Sequence, residues 1–313
     1  MPCLFILVQG IWGFNSKGKS MNYSGISLTL MGNLAIRHNG IRQQFRLTGS
    51  TKNLFMLLAC NCNHTFRKEY LYDNIWPDSP CQQARSALNT ALWRIKKYLS
   101  SFEGIEIHTY DDLVSLNIAA DVYLDVRALE TAVTELQNIR TNSFLLNATH
   151  REQLSDIVSN CYGLFLEGSD EPWVHSAREL YTSYYIQALT YCMRDAVASG
   201  LYENALQHGR RLLELDPFRE TAQREIMWVY VMNGQRAQAI KQYIDLKGML
   251  QNELDIEPMP ETVELYQCIV SDKQPVHFLN ATNNDDKFQG LKSYNLDQVR
   301  QQIFHHLVTD FSL

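Results

Sequence analysis

The sequence predicts a mainly α-helical chain in two parts: a small α+β part of hairpins and helices, then an all-helical part. Three observations carry this expectation. Short alternating segments bracket helical ones across residues 24–120, and an unbroken amphipathic helix runs from Gln82 to Leu99. Downstream, Gly200 and Ala205 recur as Gly234 and Ala239, both at an offset of 34 residues. With 313 residues, 45% of them apolar, the chain has material for two or three cores.

Residues 1–23 stand apart. Their apolar run, Leu4–Val8, is too short to span a bilayer, and it lacks the basic flank and cleavage site of a signal peptide. Gly13-Phe-Asn-Ser-Lys-Gly-Lys19-Ser20 satisfies the pattern of a phosphate-binding loop, in which Lys19 would hold phosphate oxygens and Ser20 a magnesium ion. That chemistry needs a helix to begin at the lysine and aim its amides at the anion. Met21–Gly25 reads as a turn instead, so a disordered leader, or a true start at Met21, is expected.

From Ile26 the pattern is strands and turns: residues 26–32, 34–40 and 41–47, with Asn39-Gly40 between alternating segments as a hairpin signal. A three-stranded antiparallel sheet is expected. Thr48 or Ser50 is placed to cap a helix from Thr51 to Cys60. Cys60, Cys62 and His64 have no fourth ligand nearby, so they read as packing residues at a helix end and not as a metal cluster. After an extended link, His64–Arg67, a second helix over Lys68–Trp76 is expected to turn Tyr70, Leu71, Ile75 and Trp76 inward. Pro77 and Pro80 end it.

In the helix that follows, Ala84, Leu88, Leu92, Ile95 and Leu99 form one apolar stripe. At about 100° per residue the opposite face carries Ser86, Thr90, Trp93, Arg94 and Lys97. Residues 105–110 and 113–118 then alternate around Asp111-Asp112, a second hairpin. A sheet, three helices and a hairpin make a winged helix, the helix-turn-helix variant whose last hairpin is the wing.

Residues 119–160 read as a connection: an extended start, a helix to about Gln137, a polar stretch, and a short helix around Glu152–Ser159. A long helix starts at Pro172, where the missing N–H costs nothing. Gly200–Pro217 then has the form of half a tetratricopeptide repeat, and the 34-residue offset is that family's period. Glycine permits the tight turn between helices and alanine their close approach. The expected division is 1–23, 24–120, 121–270, and a tail, 271–313, with a one-sided apolar helix over Leu296–Val308.

Charge divides the same way. Residues 24–120 hold ten Lys and Arg against seven Asp and Glu; residues 121–270 hold twelve against twenty-two. A part able to meet phosphates is joined to one that avoids them. Seven scattered cysteines fit reduced thiols in a cytoplasm. None of the motifs HExxH, GxSxG, or GxGxxG after a strand occurs. His175 and His208 sit in helical segments and read as surface or packing residues, and His305-His306 as solvated. Neither a catalytic site, a metal nor a cofactor is expected.

Residues 26–120 resemble the winged-helix output domain of bacterial response regulators. Trp76-Pro-Asp-x-Pro80, then Ala84-Arg85-x-Ala87-Leu88, then Arg94-Ile-Lys96-Lys97-x-Leu99, resembles the form in antibiotic-pathway regulators of the SARP type, with Trp93 where those proteins often have a small polar residue. Asn252-Glu-Leu-Asp-Ile-Glu-Pro-Met-Pro-Glu-Thr-Val-Glu-Leu-Tyr266 resembles the closing signature of the bacterial transcriptional activator domain, BTAD. The resemblance covers about residues 26–270.

The reading is a sequence-specific DNA-binding regulator, without enzymology, acting in the cytoplasm at the nucleoid and not at a membrane. Arg94, Lys96 and Lys97 are expected on phosphates, with Arg94 also within reach of a base, while Ser86, Asn89, Thr90 and Trp93 face the major groove of double-stranded DNA. Residues 108–113 would place the wing near the adjacent minor groove, with an acidic tip. The family resemblance implies an activator whose helical domain contacts RNA polymerase or a second promoter-bound copy. The alternative is an adaptor whose winged helix binds protein.

Overall fold

The computed structural model describes residues 25–139, 148–161 and 163–271. The phosphate-loop pattern, the leader and the tail helix lie outside them.

Strands β1 (Ile26–Thr29), β2 (Ala35–His38) and β3 (Ile41–Arg42) precede α1 (Gly49–Cys60). Next come β4 (Thr65–Arg67), α2 (Lys68–Ile75) and α3 (Cys81–Leu99), then β5 (Ile105–Tyr110), β6 (Leu113–Ile118) and β7 (Tyr123–Leu124). Helices follow: α4 (Asp125–Ile139), α5 (Ala148–Asn160), α6 (Pro172–Ala198), α7 (Tyr202–Leu215), α8 (Glu220–Met232), α9 (Arg236–Leu254) and α10 (Pro260–Ser271). Packing divides them into two units. The described residues up to Thr131 and Ser159–Tyr181 form one, and Ala132–Val158 with Thr182 onward forms the other.

In the first unit the hairpin falls where Asn-Gly put it. Asn39 and Gly40 both take positive φ, 50° and 78°, and His38 faces Ile41. The sheet has four strands, not three, in the order β3-β2-β1-β7, because β7 adds parallel to β1 with Leu28 opposite Leu124. Two residues of strand carry no periodicity that a sequence reading could detect.

Asp125, the next residue, is fully buried. Its carboxylate accepts the backbone N–H groups of Leu30 at 2.9 Å, Met31 at 2.8 Å and Val126 at 2.8 Å. Residues 163–168 extend the same edge: Leu166 N–H donates to Leu30 at 2.8 Å, and the Arg178 guanidinium holds the carbonyls of Phe165, Leu166 and Ser169.

Two local expectations are corrected. Thr48 does occupy the N-cap of α1 with extended backbone, yet its side chain makes no capping hydrogen bond. On α2, Leu71 and Ile75 are buried as expected, but Tyr70 is 47% exposed and Trp76 half-buried, and Tyr72 takes the inward place of Tyr70. Tyr70 stacks instead on Phe66 of β4, ring centroids 5.4 Å apart. In the link through residues 64–67, Thr65–Arg67 is strand: β4 pairs with β6, Phe66 opposite Val114, and makes the hairpin a three-stranded sheet, β4-β6-β5.

In the second unit α7–α10 pack as successive neighbours around Ala205, Leu206, Ile226, Met227, Ala239 and Leu265. Gly200 and Gly234 share φ of 72°, and Ala205 and Ala239 are both wholly buried, so the repeat is structural. Glu220, at the start of α8, caps α10: its carboxylate accepts the Met259 N–H at 2.9 Å and the Thr262 hydroxyl at 2.6 Å. An anion at a helix N-terminus is favourably placed.

Candidate nucleic-acid interface

Helix α3 is anchored by its back. Ala84, Leu88, Ala91, Leu92, Ile95 and Leu99 are buried, against α1, α2 and β5. The seven residues expected to meet DNA, Ser86, Asn89, Thr90, Trp93, Arg94, Lys96 and Lys97, are all exposed. The burial pattern thus separates the two faces of α3 at every position the sequence assigned, and adds Ala91 to the core.

The exposed face has internal order. The Thr90 hydroxyl donates to the Ser86 carbonyl at 3.0 Å, which satisfies its proton within the helix. The Lys97 ammonium lies over the Trp93 indole, 5.1 Å from the ring centroid. Trp93 is 62% exposed.

The hairpin β5–β6 closes on Asp111 (φ 49°), and its tip is tied to the start of α2. The Lys68 N–H donates to the Asp112 carbonyl at 2.7 Å, and its ammonium to the Asp111 carbonyl at 2.5 Å. The wing is therefore held beside α2, with Tyr110 76% exposed at its end.

Between α2, the first half of α3 and the wing tip lies an open cleft of about 490 Å³, lined among others by Arg67, Lys68, Tyr72, Arg85, Asn89 and Asp112. The Arg85 guanidinium sits 5.8 Å over the Tyr72 ring. The sequence pattern does not mark Arg67, Lys68 or Arg85 as DNA-facing. Arg67-Lys68 joins the α3 cations only because β4 pairs with β6 and sets the start of α2 against the wing. The one signal in the sequence is that the pair lies at the start of an amphipathic helix. Cations at the cleft and along α3 suit a phosphate backbone, although Glu69, Asp111 and Asp112 temper their field.

Other candidate chemistry resolves into packing. Cys60 and Cys62 are half-buried and His64 is exposed; the Cys60 thiol donates to the Tyr181 hydroxyl at 3.9 Å, and that hydroxyl to Glu130 at 2.8 Å. Burial pushes the Cys60 thiol up to about 11, leaving it protonated. His175 is exposed on α6, while His208 is half-buried on α7, where burial lowers its pKa and Arg211 adds to the effect. Among the described residues no helix is long and apolar enough to cross a membrane.

The first unit is thus a winged helix whose α3 exposes a polar and cationic face, and it is followed along the chain by the packed helices α7–α10. The family model of the bacterial transcriptional activator domain matches residues 124–270. Regulatory protein AfsR of Streptomyces coelicolor is 24% identical over 200 residues, covering 64% of this chain and 20% of AfsR. Transcriptional regulatory protein MoaR1 of Mycobacterium tuberculosis is 23% identical over 264 residues, covering 78% of this chain and 79% of MoaR1. The chain therefore spans a small part of AfsR and most of MoaR1. Mycobacterium tuberculosis EmbR, solved in complex with a low affinity phosphopeptide, shares the fold with a TM-score of 0.64 at 18% identity, covering 80% of this chain and 66% of EmbR. Residues 124–270 thus match the bacterial transcriptional activator domain, and the chain is similar to proteins named as transcriptional regulators.

Proposed function

We propose that this regulator binds double-stranded DNA sequence-specifically, with α3 in the major groove and the start of α2 and the wing on the flanking backbone. The observation that carries the reading is the division of α3, whose buried back is set in the winged helix while all seven polar, aromatic and cationic residues face out. Arg94 and Thr90, one turn apart, share a base step; Lys96, nearer the flank, meets phosphate. The winged helix, residues 24–120, binds the operator. The acidic helical part, residues 121–270, contacts RNA polymerase or a second bound copy and activates transcription, in the cytoplasm at the nucleoid.

Gel-shift titrations of the full chain against a randomised duplex pool at several salt concentrations test this. Binding should weaken linearly on a log–log plot against salt, and rounds of selection should enrich a common site. A chain that neither shifts DNA nor enriches a site would instead be the adaptor.

A further inference from the structure

We propose that Trp93 reads a thymine 5-methyl group, and so sets an A·T requirement in the operator. The proposal rests on the DNA-binding reading above. With about 100° per residue, Trp93 lies near the middle of the face opposite the buried stripe of α3, between Asn89 and Lys97. It is the one large apolar side chain among the seven exposed residues of that face, and more than half of it is open to solvent.

The floor of the major groove presents hydrogen-bonding edges, for which an indole face is a poor match, and a single apolar group, the 5-methyl of thymine. The ring face of an indole at the most protruding part of a groove-reading face fits that group better than it fits any hydrogen-bonding edge on the floor. Its orientation is restrained: the Lys97 ammonium, one turn on, covers one ring face at 5.1 Å and leaves the rest of the indole for a base. The same ammonium is carried toward the phosphates beside that base. Neighbouring Thr90 has its hydroxyl proton engaged at the Ser86 carbonyl, so it does not compete as a donor at the same step.

The test uses the full chain and the duplex it selects from a random pool. Each thymine of that site is replaced in turn by deoxyuridine, which keeps every hydrogen-bonding group and removes only the methyl. Wild type should lose about 3- to 10-fold in affinity at one or two positions, as expected for one apolar group lost from a partly dry contact. Trp93→Ala should bind the thymine and deoxyuridine sites equally at those positions. Because Trp93 is exposed, the variant should keep the wild-type circular dichroism and melting temperature. Uniform indifference of wild type to deoxyuridine, or an undiminished methyl effect in Trp93→Ala, would overturn the proposal while leaving DNA binding standing. A chain that selects no site would overturn the DNA-binding reading and the proposal with it.

Discussion

Arg94 and Lys96 are two residues apart on α3 and carry the same charge, yet they stand at different angles to the proposed groove. Losing a base contact should cost about 1–3 kcal/mol on the selected site and far less on random DNA. Losing a phosphate contact should weaken both equally and flatten the salt slope by about one unit. Arg94→Ala should therefore collapse the ratio of specific to random affinity, and Lys96→Ala should leave it nearly intact. Equal losses for both variants on both duplexes would make α3 an electrostatic anchor only. Asp125 gives a second prediction. Burial raises its carboxyl to about 6, against backbone N–H groups of Met31, Leu30 and Val126 that pull it down. The folded state then binds the proton more tightly than the unfolded chain, whose value is the ordinary 3.8. Its contribution is complete below about pH 4 and is lost as pH rises through about 6. Denaturation of the first unit followed from pH 4 to 7 should show that decline, and Asp125→Asn should flatten it; an unchanged slope in the variant would assign the dependence to other groups.

At the scale of elements, the repeat rests on how closely its helices approach. Ala205 and Ala239 are wholly buried, so Ala→Leu at either should overpack the contact and cost about 1–3 kcal/mol, with Ala→Ser as the milder control. Melts unmoved by both leucines would argue against close helix crossings there. Gly209 on α7 is a sharper probe, because a Cβ placed there would lie 2.7 Å from Ile226 Cγ1 and 3.1 Å from the Met193 sulfur. Gly248 on α9 has nothing within 4 Å of the same position. Alanine usually gains up to about 1 kcal/mol over glycine in a helix. Gly248→Ala should raise the melting temperature and Gly209→Ala should lower it, the overlap outweighing the propensity. A stabilising Gly209→Ala would show that α7 and α8 can separate at no cost.

On the scale of the molecule, the winged helix does not end where its hairpin ends. The family match begins at residue 124, while packing keeps residues up to 131 and 159–181 with the sheets. A fragment of residues 24–120 lacks β7 and leaves the Leu30 and Met31 amides without Asp125. Such buried donors cost about 1–3 kcal/mol each when unpaired. Residues 24–120 should therefore fold and bind DNA weakly, but melt below residues 24–131, and those below residues 24–181, which restore the Phe165 edge. The helical part alone should not bind DNA; retained affinity there would reverse the roles of the two parts. Equal melting of the three fragments would make the extra segments passengers.

What the sequence determined by itself is everything governed by local period and by special residues. The faces of α3, the Asn39-Gly40 turn, the hairpin around Asp111-Asp112 and the 34-residue repeat are all written within a few turns of chain, where periods of 2 and 3.6 or a required positive φ leave a mark. The tertiary structure alone decided the rest. β7 and β4 are two and three residues long, and Tyr70 turned outward because Phe66, on a strand defined only by its pairing with β6, was there to stack on it. Asp125 became a buried staple through amides ninety-five residues earlier. Arg67, Lys68 and Arg85 became part of one cleft only when the wing tip was tied to α2. Contacts between distant segments depend on complementarity that neither segment displays alone, and that is why they had to be seen in three dimensions.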